Sequence, residues 1–164
     1  MRRAALALAL IAIVAGAAPA AARSPWRLTN DAGPLLVDGD GEDMTASLRC
    51  KPHAGRIDVM FLVNHDIADH LVGDTWADKA GRKAPWAVTV RVASGAATTD
   101  LAGKANADEM NGGSEIDASL PLSSPVAQAF AASGALKLTA FGQTARLPAI
   151  PAVLAAKFVK SCAK

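Results

Sequence analysis

The feature that most constrains the fold is a period-two alternation of apolar and polar residues. Within Arg56–Val63 every second residue is a large apolar one, and Trp86–Val92 repeats the pattern with valine. Successive side chains of a β-strand point to opposite faces, whereas a helix repeats every 3.6 residues. These two segments are therefore predicted to be strands with one buried face.

Shorter stretches of the same alternation predict five more strands: Met44–Cys50, Leu136–Ala140, Trp26–Thr29, Ile116–Leu120 and Thr144–Leu147. Sequences rich in Gly, Asp, Asn and Pro lie between the segments, at Asp38–Gly41, Pro52–Gly55, Lys79–Arg82, Asn111–Gly113 and Phe141–Gln143. Such residues favour tight turns. The spacing is typical of antiparallel strands joined by hairpins and short loops.

Two segments have the signals of helices. Ser124 is suited to cap a helix that begins at Pro125 and ends before Gly134. A second helix is predicted after Pro151, because Leu154, Phe158 and Cys162 recur every four residues. We therefore predict a fold that is mainly β with two helices (α+β), an antiparallel sandwich-like sheet with the C-terminal helix packed on it.

The first 22 residues have the composition of a secretory signal peptide. Arg2 and Arg3 precede an apolar run, Ala4–Ala15, and small residues follow up to a cleavage point that we place after Ala22. The run is shorter than the ~20 residues that span a bilayer. A retained anchor and twin-arginine export are the alternatives. We expect residues 1–22 to be removed and 23–164 to form one domain in the periplasm or outside the cell.

Charge limits the partners that such a domain would bind. Loss of Arg2 and Arg3 would leave 15 of the 17 basic residues, equal to the 15 acidic residues. A balanced chain without clustered Lys and Arg has no electrostatic surface for nucleic acid or an anionic membrane. We expect no nucleic acid partner and no membrane anchor after cleavage.

Cys50 and Cys162 are the two cysteines of the sequence. An even pair in an exported protein is usually oxidised, and both residues lie on predicted apolar faces. We predict a disulfide between them that links the C-terminal helix to the sheet. Two buried free thiols are the alternative.

The segment from Asn64 to His70 is the densest group of possible metal ligands. It contains His65, Asp66, Asp69 and His70, which would suit a divalent metal such as zinc. The two histidines are five apart, however, and the spacing of a helical zinc motif is absent. A polar loop is the preferred interpretation, and a metal-binding protein or metal-dependent enzyme is the alternative.

The acidic stretch 38–43 is interpreted as a turn, because its spacing does not fit a calcium loop.

No catalytic motif of the common hydrolase or phosphate-binding types occurs in the sequence. We expect no cofactor and favour a non-enzyme, although paired carboxylates cannot be recognised from sequence. The leading hypothesis is a periplasmic binding or accessory protein that contacts another envelope protein. An inhibitor of an extracellular hydrolase belongs to the same class.

Overall fold

A computed structural model describes residues 26–30, 32–38, 44–51 and 53–163. The predicted signal peptide, 1–22, lies outside the described residues, as do residues 39–43 of the acidic turn. Within the described ranges, neither helix has the length and apolar composition needed to cross a bilayer.

The strands and helices follow one another along the chain as β1 (Arg27–Thr29), β2 (Leu35–Val37), β3 (Ala46–Arg49), β4 (Arg56–Val63), β5 (His70–Val72), β6 (Thr75–Ala77), β7 (Trp86–Ser94), β8 (Ala97–Ala107), β9 (Ser114–Pro121), α1 (Pro125–Ser133), β10 (Lys137–Ala140), β11 (Gln143–Thr144) and α2 (Ala152–Cys162).

Nine of these strands form one antiparallel sheet in the order β1-β2-β3-β4-β9-β8-β7-β10-β11. The sheet curls into a half-barrel. The predictions of a mainly β chain, of antiparallel pairing and of two helices are confirmed. The sandwich-like arrangement is not confirmed, because the described strands form one curled sheet and a separate two-stranded hairpin, β5–β6, rather than two facing sheets.

Strand β4 shows how the alternation produces the core. Its register with β9 runs without interruption from Arg56 opposite Pro121 to Val63 opposite Ser114. The alternate residues Ile57, Val59 and Phe61 are fully buried on the inner face of the sheet. The residues between them lie on the outer face, which is the pattern expected of a sheet with one solvated side.

Strand β8 lies unusually close to its neighbours at Gly103. A Cβ atom at this position would lie 2.7 Å from the backbone oxygen of Asp117 and 2.8 Å from Cγ2 of Val90. The missing side chain therefore lets β9 and the side chains of β7 approach β8 closely, as glycine does at bends of curled sheets.

Both helices pack into the same core as the strands. Ser124 caps α1 by accepting a hydrogen bond from the backbone N–H of Ala127 at 3.2 Å, as predicted. Gly134 ends the helix with a φ of 71°, in the left-handed region. The buried residues Phe130 of α1 and Phe158 of α2 belong to the same hydrophobic cluster as the inner face of the sheet.

The predicted disulfide is present. Cys50, which follows β3, is bonded to Cys162 in the last turn of α2, and their Cα atoms are 5.6 Å apart. Both cysteines are buried. The bond links the C-terminal helix to the limb of the sheet that contains β3.

The two outer edges of the sheet, β1 and β11, do not pair with each other. Near β1 the gap is closed by the segment that follows β11, because the Trp26 indole N–H donates to the carbonyl of Pro148 at 3.0 Å. On the same limb of the sheet, the buried Asp38 carboxylate accepts hydrogen bonds from the backbone N–H groups of Thr45 and Ala46. That carboxylate therefore ties the end of β2 to the start of β3.

Candidate functional site

The predicted metal segment connects β4 to β5. The imidazole of His65 stacks on the ring of Phe141, with centroids 4.5 Å apart and planes inclined by 22°. The backbone carbonyl of His65 accepts a hydrogen bond from the hydroxyl of Ser114. The Asp66 carboxylate accepts one from the backbone N–H of Gly113 at 2.7 Å. These contacts hold the segment against the β8–β9 loop and the β10–β11 turn.

Asp69 and His70 lie further along, where β5 begins. Nδ1 of His70 is 3.2 Å from Oδ2 of Asp69, and both side chains are exposed. Over the described ranges, no three His, Cys, Asp or Glu side chains are grouped so that they could share a metal ion. The structure thus pairs Asp69 with His70 and gives His65 and Asp66 other contacts, while the metal site itself stays a prediction from sequence.

The β5–β6 hairpin lies outside the nine-stranded sheet and was not predicted. Its side chains Leu71 and Val72 are 55% and 39% exposed. Trp76 lies opposite Leu71, and its indole N–H donates to Oε1 of Glu109 at 2.6 Å. This hydrogen bond places the β8–β9 loop beside the hairpin. The next residue in that loop, Met110, is 82% exposed.

We name Leu71, Val72, Trp76 and Met110 the hairpin surface. Alternation could not have revealed it, because β5 and β6 have three residues each. A sequence signal does exist in Val72-Gly73-Asp74-Thr75, since Gly and Asp favour a turn and Gly73 has a φ of 66°.

Asp78 fixes the connection between the hairpin and β7. Its carboxylate accepts hydrogen bonds from the backbone N–H groups of Ala80 and Arg82 and from Nε of Arg82 at 2.7 Å. The backbone N–H of Arg82 and then its guanidinium hold the pKa of Asp78 below its ordinary value. The Arg82 carbonyl in turn accepts from the indole N–H of Trp86.

Two carboxylates of β9 have pKa values shifted in the other direction. Partial burial, with the nearby charges of Asp117 and Asp108, raises the pKa of Glu115. Partial burial and the charge of Asp58 raise the pKa of Asp117, which Lys104 opposes. Burial that disfavours the charged form is thus the main cause of both shifts, and neighbouring acids add to it.

A cleft of about 630 Å³ opens between β11 and the far limb of the sheet, by which we mean the side that contains β3 and β4. Its walls are formed by Gln143–Arg146 on one side and by Thr45, Leu62–Asn64 and the β8–β9 loop on the other. The stacked rings of His65 and Phe141 connect these two parts of the molecule. The volume falls within the range of binding clefts in proteins.

Comparison of the chain with protein-family models, with curated proteins and with solved structures found no match.

Proposed function

We propose that the protein is exported, loses residues 1–22 and acts in the periplasm as a non-enzymatic accessory protein that binds another envelope protein. The basic and apolar start of the sequence supports export. The bond between Cys50 and Cys162 also supports it, because disulfides persist in oxidising compartments.

The observation that carries the binding role is the hairpin surface. Single exposed apolar side chains are common on soluble proteins. Here two consecutive ones, Leu71 and Val72, project from a hairpin that is held on both sides. The Trp76–Glu109 hydrogen bond attaches it to the β8–β9 loop, and Asp78 fixes the chain that leaves it. Such a surface is organised before binding, which reduces the entropy lost on association.

The partner that fits this surface presents an apolar pocket with a polar rim. Leu71 would enter the pocket from the face of the hairpin that it shares with Trp76, and Val72 would contact the pocket wall from the other face. The flanking Asp69, His70 and Asp74 would remain at the solvated rim. Interfaces of this kind have an apolar centre that contributes most of the binding energy and a polar periphery that contributes little.

The test places a photo-crosslinking amino acid at Leu71 in cells that produce the full chain. The matched control places it at Val153 of α2, which is equally apolar and 82% exposed. We expect a crosslink to one envelope protein at position 71 and none at position 153. Purified with that protein, the double variant Leu71→Ser, Val72→Ser should bind at least about tenfold more weakly.

Equal crosslinking at both positions, or unchanged affinity of the double variant, would contradict the proposal. Substrate turnover that survives repurification would contradict the non-enzymatic part of it.

A further inference from the structure

We infer that the free edge of β11 is a second binding site, which takes an extended, acidic peptide segment of a partner protein by strand addition. The inference goes beyond the proposed function, because it uses none of the residues of the hairpin surface.

The turn before β11 fixes the direction of its backbone hydrogen bonds. Ala140 and Gln143 flank the two-residue turn Phe141-Gly142, whose φ angles of 52° and 74° are those of a type I′ hairpin. The backbone N–H of Ala145 donates to the carbonyl of Leu138 at 2.9 Å. Hydrogen-bonded and non-hydrogen-bonded pairs alternate along an antiparallel ladder. Thr144, between them, is therefore in a non-hydrogen-bonded pair.

It follows that the backbone N–H and C=O of Thr144 point away from β10. Among the described residues, no strand pairs with that side of β11. Thr144 also lines the cleft between β11 and the far limb of the sheet. An unpaired strand edge that borders a cleft is the geometry used by proteins that bind peptides by adding a strand.

Two charged side chains, Arg146 and Asp108, line the cleft. Arg146 lines the same cleft, is exposed and forms no ion pair with any described residue. Asp108 lies on the opposite wall, and both of its oxygens are turned to its own loop, where they accept hydrogen bonds from the backbone N–H groups of Met110 and Asn111 and from the Asn111 amide. The charged group beside β11 is the guanidinium of Arg146, two residues after Thr144, and a guanidinium pairs best with a carboxylate.

Two amide side chains, those of Asn64 and Gln143, also belong to the lining of the cleft. Asn64 and Gln143 line the cleft on opposite walls, and no described residue forms a hydrogen bond with either carboxamide. Amides donate and accept hydrogen bonds, so they suit the backbone of an extended peptide better than a simple anion. The ligand that suits the free edge of β11, the Arg146 guanidinium and the two amide side chains is therefore an extended peptide that contains Asp or Glu.

The turn that carries this edge is fixed in position. Phe141 is a bulky residue at positive φ, a conformation that persists where surrounding contacts enforce it. Its ring stacks on His65, the residue after Asn64 of the opposite wall. The stack therefore ties the β10–β11 turn to the segment that follows β4.

The test uses fluorescein-labelled heptapeptides in which valine alternates with aspartate, serine or lysine. Fluorescence anisotropy with the full domain should show the tightest binding for the aspartate peptides. The Arg146→Gln variant should bind them about tenfold or more weakly, as expected for loss of a charge-assisted hydrogen bond. Arg49→Gln, which removes an exposed arginine of β3 outside the cleft, is the matched control and should leave the affinity unchanged.

A proline at position 144 tests the contribution of the Thr144 backbone N–H. Thr144→Pro removes the N–H that points into the cleft and the exposed hydroxyl hydrogen bond to Thr139, but no backbone hydrogen bond of the β10–β11 ladder. Affinity should fall relative to Thr144→Val, which removes the hydroxyl alone, while the melting temperatures of the two variants differ little. If the proline variant does not fold, deuterium exchange of the Thr144 amide in the unaltered domain replaces it. The aspartate peptide should then protect that amide.

Three results would overturn the inference: no peptide binding tighter than about 1 mM, binding that Arg146→Gln leaves unchanged, or no protection of the Thr144 amide. A dimer that Thr144→Pro dissociates would overturn it as well, because the occupant would then be a second copy. Failure of crosslinking at Leu71 concerns the hairpin surface alone, so the two proposals can fail separately.

Discussion

Asp78 is buried to 5% exposure, and its carboxylate organises the turn between the β5–β6 hairpin and β7. Two backbone N–H groups and the Arg82 guanidinium reach it. Its pKa is lowered because these donors stabilise the charged form. A carboxylate whose folded-state pKa is depressed stabilises the protein above the unfolded pKa of about 3.9, and this contribution is lost as the pH falls through the lower folded value.

We therefore expect Asp78→Asn to lower the free energy of unfolding at pH 7. The difference from the unaltered protein should shrink as the pH falls below about 4, where the unfolded-state carboxyl is protonated. Urea denaturation between pH 7 and pH 2.5 measures it. Asp100→Asn, which removes the exposed Arg91–Asp100 ion pair, is the control and should have the smaller effect at pH 7.

At the scale of elements, alternation found the longer strands with large apolar residues and missed the three-residue strands β2, β5 and β6 and the longest strand, β8. Strand β8 has 11 residues, but Leu101 is the one large apolar side chain in it. Its position between β7 and β9 makes it a strand, because β7 pairs with residues 97–105 and β9 with residues 103–107. Pairing with neighbouring strands can thus make a strand of a sequence with low β-propensity, and such a sequence carries no alternating pattern from which the strand could be predicted.

Gly103 in β8 gives this argument a measurable consequence. Gly103→Ala would push a Cβ atom against the backbone oxygen of Asp117, and a backbone atom cannot move without disturbing the sheet. We expect a loss of about 1–3 kcal/mol in the free energy of unfolding. Ala102→Val, on the exposed face of the same strand, should change it by about 0.5 kcal/mol or less. An equal effect of both substitutions would contradict the role of Gly103 in the close approach of β9 and β7 to β8.

At the scale of the whole molecule, the disulfide joins positions 112 residues apart in sequence. Its partners were predictable from two cysteines on apolar faces. The hairpin surface and the cleft were not, because each depends on how distant segments meet. The Trp76–Glu109 hydrogen bond and the His65–Phe141 stack are contacts that no sequence spacing records.

Replacing both cysteines with alanine should reduce the free energy of unfolding by about 4–5 kcal/mol, because the bond no longer restricts a large loop in the unfolded chain. Chemical denaturation of the oxidised protein and of the Cys50→Ala, Cys162→Ala variant measures this. Equal stability would show that the bond contributes nothing to the stability of the fold. The single variant Ala102→Val, on the exposed face of β8, is the reference because it leaves the core and the disulfide unaltered.

Export and oxidation are the claims on which the proposed role in the envelope depends, and one measurement tests both. The native protein is recovered from its own cells without reductant, treated with iodoacetamide and weighed intact by mass spectrometry. The account predicts a chain that begins at Arg23, carries no alkyl group and is two hydrogens lighter than the dithiol. A product that retains Met1 and gains two alkyl groups, at Cys50 and Cys162, would contradict it.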